Sequence, residues 1–157
     1  MPASPTNAAH HTAHDTANDA ARRACEEVVV RFTAHFDARE HEQMEQYFAT
    51  DGVWSRRDGD IRGIEQLRAS MAKRASNNVV RHVISNLRSQ LLSADRAVVD
   101  CYVTVFRHVF ADGEKSPAPM GLPFVMGSYR DELVRQTSGE WKISDRQSSI
   151  DFASKQS

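Results

Sequence analysis

The sequence predicts an α+β fold in which N-terminal helices are wrapped by a curved antiparallel sheet. Three observations carry that prediction. Apolar residues recur at steps of three or four early in the chain, and from residue 79 onward they alternate over four long segments. Links of hairpin length join those segments, so the sheet is expected to be a meander.

The elements follow in order. Asn18 or Asp19 offers a capping side chain for the free N–H groups of a first helical turn. Ala21, Cys25, Val28, Phe32 and Phe36 then form the stripe of a helix with one buried face, ending near Asp37-Ala38. A short second helix is expected over Glu40 to Ala49, with Met44, Tyr47 and Phe48 inward, broken by "TDG" at 50–52. "VWSRRDGDIRG" (53–63) reads as a small hairpin turning at Asp58-Gly59, and Ile64 to Arg74 as a third helix on Ile64, Leu67 and Met71. Four strands are expected at Val79–Ser93, Ala97–Phe110, Pro123–Gln136 and Glu140–Phe152. The connection at 111–122 is the longest and contains two prolines, which marks it as a lid or rim.

Composition bounds the rest. A chain of 157 residues is one domain, expected over 18–153, with a disordered tail at 1–17 and a short C-terminal tail at 154–157. The tail histidines His10, His11 and His14 read as part of a solvated leader and are set apart from any site. Twenty basic residues against 21 acidic ones give no electrostatic case for nucleic acid or an anionic membrane. No apolar run approaches the roughly 20 residues of a membrane span. The N-terminal stretch has no apolar h-region, so no secretory signal is expected. Cys25 and Cys101 sit among apolar neighbours and read as reduced core thiols of a cytoplasmic protein.

Alternation sorts the strand residues by face. Val80, His82, Ile84 and Asn86 share one side of the first long strand. In the second, Val99, Cys101, Val103 and Val105 make an aliphatic face, opposed by Asp100, Tyr102, Thr104, Phe106 and His108. The mixed face is the one expected toward water or a wet pocket. Val125, Gly127, Tyr129, Asp131 and Leu133 group on the third strand, and Trp141, Ile143, Asp145 and Gln147 on the fourth. A concave sheet closed by helices makes a pocket with one mouth. Tyr47, Trp54, Tyr102, Phe106, Phe124 and Met126 are residues that line such a pocket or else fill the core.

Asp37, where the first helix runs out, is either an exposed turn residue or a carboxylate holding a histidine at the pocket. The first reading is awkward, because the helix dipole disfavours acids at a C-terminus. His82 is either a strand histidine or the partner of that carboxylate. Asp37, His82 and His108 have no spacing that calls for a metal, and no phosphate loop or nucleophile elbow is present.

"FDAREHEQMEQYFATDGVW", "RHVISNL", "ADRAVVDCYVTV", "YRDELVR" and "GEWKISDRQ", in this order after a helix, resemble the SnoaL-like branch of the nuclear transport factor 2-like superfamily over residues 18–152. The resemblance implies a cone-shaped α+β barrel. Its nearest functional pattern is that of the scytalone dehydratase and bile-acid dehydratase families, which place an aspartate after the first helix and a histidine in an "RH-x-x-x-N" strand. Here those are Asp37 and His82, with His108 at the place of a second active-site histidine. Phe36 stands where a tyrosine that helps hold a water is expected, and Trp54 or Ser55 replaces another. The implied activity is a cofactor-independent lyase or isomerase acting on a small, hydrophobic aromatic or polycyclic carbonyl compound. The alternative is a non-catalytic module such as a small subunit of a ring-hydroxylating dioxygenase. A carboxylate on one imidazole nitrogen fixes the tautomer and makes the other nitrogen the basic one. Tyr102, Asn86 or Tyr47 is the expected hydrogen-bond donor to the enolate. Self-association, most simply a homodimer, is expected across the outer face of the sheet.

Overall fold

The computed structural model describes residues 6–155, with side chains described from Asp15 onward. Helix α1 (Thr6–Ala38) is followed by α2 (His41–Glu45), β1 (Phe48–Ser55), β2 (Ile61–Arg62) and α3 (Gly63–Ala72). Four long strands complete the chain: β3 (Asn78–Leu91), β4 (Arg96–Val109), β5 (Val125–Arg135) and β6 (Trp141–Ala153). They form one sheet in the order β2-β1-β6-β5-β4-β3. The expected α+β architecture is present, and β3 to β6 are a meander of antiparallel pairs.

The sheet differs from expectation in two respects. It is mixed, since β1 runs parallel to β6, and it is open, with β2 and β3 as edges. Nothing of hairpin length ties β1 to β6, so the turn that enforces antiparallel pairing elsewhere is missing there.

Two element boundaries also move. The cap expected at Asn18 or Asp19 and the tail expected through residue 17 give way to helical backbone from Thr6, while residues 1–5 lie outside the described residues. Ala8, Ala9, Ala13 and Ala17 explain the extension, alanine being the strongest helix former. The "TDG" at 50–52 lies inside β1 rather than ending a helix. It occupies the irregular stretch where the register against β6 shifts between Phe48 and Val53.

The core forms where α1 lies in the concave face. Cys25, Val28, Val29 and Phe32 of α1 are buried with Val99, Cys101 and Val103 of β4, Leu133 of β5 and Ile143 of β6. Phe32 stacks on Phe48 and meets Trp54 edge-on, with ring centroids 5.7 and 5.6 Å apart. Two β-bulges then set which residues face this core. One lies between Ser85 and Arg88 of β3 and contains Asn86 at φ 53. The other lies opposite Glu132 and Leu133, where β6 steps from Asp145 to Ile143 and Ser144 becomes the extra residue. A third shift, between Met126 and Gly127, brings the strands so close that a Cβ at Gly127 would collide with the Ser149 carbonyl.

Candidate functional site

The last turn of α1 ends in a Schellman motif. Glu40 N donates to His35 O and Arg39 N to Phe36 O, with Arg39 in the left-handed region at φ 64. A non-glycine residue there costs about 1–2 kcal/mol. The Arg39 guanidinium offsets that cost by donating to the carbonyls of Arg74, Ala75 and Asn78, which fastens the corner to the linker between α3 and β3. The corner therefore has a fixed place relative to β3, and Asp37 is carried with it.

Asp37 meets His82 with both oxygens. Oδ1 lies 2.6 Å from His82 Nδ1, and Oδ2 accepts the His82 backbone N–H at 2.7 Å. A carboxylate only accepts, so Nδ1 carries a proton, and in the neutral imidazole Nε2 is the nitrogen with the free lone pair. Phe36 packs edge-on against the imidazole at 5.3 Å, and the Tyr129 ring lies 6.4 Å away.

His82 looks into two adjoining hollows that share Phe36, Val105 and Phe124 as walls. The inner one, about 250 Å³, reaches into the cone past Trp54, Val103, Tyr129 and Ser148. The outer one, about 680 Å³, opens between α3 and the ends of β3 and β4 and is rimmed by Arg56, Lys73, Arg74 and Arg107. Burial pushes the Tyr129 hydroxyl up to about 12, so the phenol is a proton donor and not an anion.

Beneath the inner hollow is a second ion pair that sequence reasoning missed. Arg146 donates from Nε and Nη2 to the two oxygens of Asp131 at 2.6 and 2.8 Å, and both residues are fully enclosed. The guanidinium also lies 4.7, 5.7 and 4.5 Å from the ring centroids of Phe32, Trp54 and Tyr129. Burial raises the Asp131 carboxyl and Arg146 opposes that rise. An arginine does not release its proton in a protein, and both Asp131 oxygens accept from it. Alternation on β6 had grouped Asp145 and Gln147 with Trp141 and Ile143. The Ser144 bulge turns Arg146 and Ser148 inward instead.

The remaining sequence candidates divide by where these strands point. Trp54 is buried on the inner wall with Nε1 donating to Ser148 Oγ at 3.0 Å, and Phe124 lines both hollows. Tyr47 is packed against the core and stacks on His35, away from either hollow. The aliphatic face of β4 is the one turned to the cavity, so of the two places expected for the mixed face, water or a wet pocket, it takes the outer one. Tyr102, Phe106 and His108 therefore point away, as does Met126, which pairs with Thr104. His108 Nε2 lies 2.8 Å from Glu114 Oε1, so it does not join Asp37 and His82. Asn86 is exposed, because the bulge that holds it takes it off the inner face and passes that face to Leu87, Ser89 and Leu91. Asn in the left-handed region is common, so an asparagine inside a β-branched run was the available signal. Cys25 and Cys101 are both free and buried, and burial pushes their thiols up to about 12 and about 11. Among the described residues no helix is long and apolar enough to cross a membrane.

The sequence profile of the SnoaL-like domain matches residues 19–147. The chain belongs to the SnoaL-like family. Solved structures carry the same fold. A hexachlorocyclohexane dehydrochlorinase of LinA type 3 from Novosphingobium barchaimii is 19% identical, with TM-score 0.73 over 89% of this chain and 92% of that one. A protein proposed to be a scytalone dehydratase, from Novosphingobium aromaticivorans, is 19% identical, with TM-score 0.71 over 89% and 90%. A protein of unknown function from Mycobacterium tuberculosis is 22% identical, with TM-score 0.67 over 82% and 74%. Among curated protein sequences none matches the chain. At these identities the structural likenesses bear on the SnoaL-like fold and not on a substrate.

Proposed function

We propose that this SnoaL-like protein is a dehydratase or isomerase that moves a proton on a small aromatic or polycyclic carbonyl compound, with Asp37 and His82 as its acid/base pair. The observation that carries the proposal is the two-handed grip of Asp37 on His82, which leaves Nε2 unengaged beside an apolar hollow. In dehydration of a β-hydroxy ketone, Nε2 takes the proton from the carbon next to the carbonyl. The resulting imidazolium returns a proton to the departing hydroxyl, and water and the enone leave. Asp37 holds the ring in orientation and balances its positive charge. Tyr129 is the donor for the enolate oxygen, a part for which Tyr47, Asn86 and Tyr102 face the wrong way. Proton transfer of this kind calls on neither a metal nor an organic cofactor.

The test is turnover of a panel of bicyclic β-hydroxy ketones and β,γ-enones, read by the rise of enone absorbance. On a substrate that the parent converts, His82→Ala is expected to lower kcat by ~10²–10⁴-fold. Full activity in both His82→Ala and Asp37→Asn sinks the proposal.

Self-association belongs to the same reading. Val83, Thr104, Met126 and Phe152 are successive partners in one row across β3, β4, β5 and β6. Its three apolar members are 51%, 40% and 69% exposed, which supports a homodimer through the outer face of the sheet. Light scattering of the parent and of Met126→Glu decides it, since a monomeric parent rules the homodimer out.

A further inference from the structure

The rim of the outer hollow carries more positive charge than the protein neutralises. Of its two carboxylates, Asp58 pairs with Arg56 at 3.3 Å and Asp60 with Arg62 at 2.7 Å. Lys73, Arg74 and Arg107 face the same hollow, and no carboxylate among the described residues forms a salt bridge with any of them. Arg107 rests over the Phe124 ring at 5.2 Å. Arg74 is held more firmly. Nη1 donates to the Phe36 carbonyl, and the guanidinium lies 3.9 Å from the Phe36 ring centroid. Its Nη2 is buried and has no partner.

An orphaned buried donor on a fixed arginine needs an explanation. Among the described residues four buried side-chain atoms lack a partner, and two of them, Arg74 Nη2 and Asn78 Oδ1, belong to walls of this hollow. A third, His41 Nε2, lies in the field of Arg74 and Arg39. Unmet polar capacity is thus concentrated where the positive charge is. Arg74 also lies against Phe36, whose ring touches the edge of the His82 imidazole. Arg74, Phe36 and His82 thus line one and the same hollow.

We infer that the ligand is a carboxylate: its anionic end docks on Arg74, flanked by Lys73 and Arg107, while its apolar body extends between Phe36 and Phe124 to His82. The inference deepens the acid/base reading and rests on it for the placement at His82, but the anion site itself is independent of turnover. An arginine is suited to this part because its planar fork matches a carboxylate, and a hollow lined by Phe36 and Phe124 strengthens the contact by excluding water.

Two unreactive probes of one shape separate charge from fit. Binding of 2-naphthoate and 2-naphthamide to the full chain is measured by calorimetry at pH 7, in low and in high salt. The parent is expected to bind the naphthoate at least ~10-fold more tightly, as a charge-assisted hydrogen bond implies, and the advantage is expected to shrink with salt. Arg74→Gln brings the two probes to within about twofold, and Lys73→Gln lowers the preference by only a few-fold because its head is exposed. The preference is a ratio of affinities read without turnover, so failure of the catalytic reading and failure of the anion site are told apart. Equal affinities in the parent, a preference that survives Arg74→Gln, or no naphthoate binding up to millimolar concentration overturns the inference. If circular dichroism shows Arg74→Gln unfolded, the parent's probe ratio and its response to salt decide alone.

Discussion

Two carboxylates, one in the last turn of α1 and one on β5, hold two basic side chains of the sheet, and they do so under opposite conditions. Asp131 and Arg146 are 0% and 1% exposed, joined by two parallel bonds and roofed by three aromatic rings. Asp37 and His82 are 12% and 10% exposed, and only one nitrogen of the ring is claimed. The first pair uses every strong donor it aims at the carboxylate and has no outlet to solvent. The second keeps a lone pair in reserve beside a hollow. A closed pair can fix the cone's shape but cannot exchange a proton with a ligand, whereas a half-satisfied one at a cavity wall can. The difference shows that the number of partners left over, more than the presence of charge, marks the working group.

The comparison can be broken most severely from its closed side. Asp131→Ala leaves a buried guanidinium without a counter-ion and is expected to cost about 3–5 kcal/mol, read as a lower urea midpoint. Replacing both partners, with Asp131→Leu and Arg146→Met together, should recover most of that loss. A single variant with unchanged stability would mean that water reaches Arg146 and that the pair is not sealed. The open pair responds with the opposite balance. Asp37→Asn removes a charge-assisted acceptor and costs about 1–3 kcal/mol in the same unfolding measurement. Its larger effect falls on turnover, because an amide donating to Nδ1 shifts the ring proton to Nε2, where the base is needed. The smallest effect is one of pH at the cationic rim. Burial, then Arg74 and Arg39, hold the His41 imidazole below its ordinary value of 6.5, against a weaker pull from Glu45. A histidine depressed in the folded state contributes stability in full above its unfolded pKa and loses it as pH falls. The thermal midpoint of the parent should therefore drop relative to His41→Gln as pH is lowered below 6.5. Parallel curves would remove His41 from the account.

Much of this arrangement was legible before any coordinates. The stripe from Ala21 to Phe36 and the alternation after Val79 are properties of tens of residues, and repetition of that kind survives local exceptions. Asp37 and His82 are 45 positions apart and no periodicity links them; the family resemblance did. The misreadings cluster at single residues. Asn86 and Ser144 each add one residue to a strand, and everything beyond them changes face. Tyr102, Phe106 and His108 went astray for a different reason. The mixed face was expected toward water or a wet pocket, and alternation does not choose between them; β4 gives the hollows beside His82 Val103, Val105 and Arg107, and turns the mixed face outward. Tyr129 stands on the correctly grouped face of β5, but alternation alone does not separate a tyrosine at a hollow from one in the core.

The Ser144 bulge has a further consequence. Its hydroxyl is occupied with the Glu132 carbonyl at 3.1 Å, and no wall of the hollows includes it. Yet it acts as a gear between the two halves of β6, engaging Trp141 and Ile143 on one tooth and Arg146 and Ser148 on the next. Pairing it as a regular strand residue would offer Asp145 and Gln147 to the interior and turn the arginine out, whereas deleting it would leave Arg146 opposite Asp131. One surplus residue of strand length thus reconciles an inward Trp141 and Ile143 with an inward Arg146, which plain alternation over the same residues would have turned to solvent.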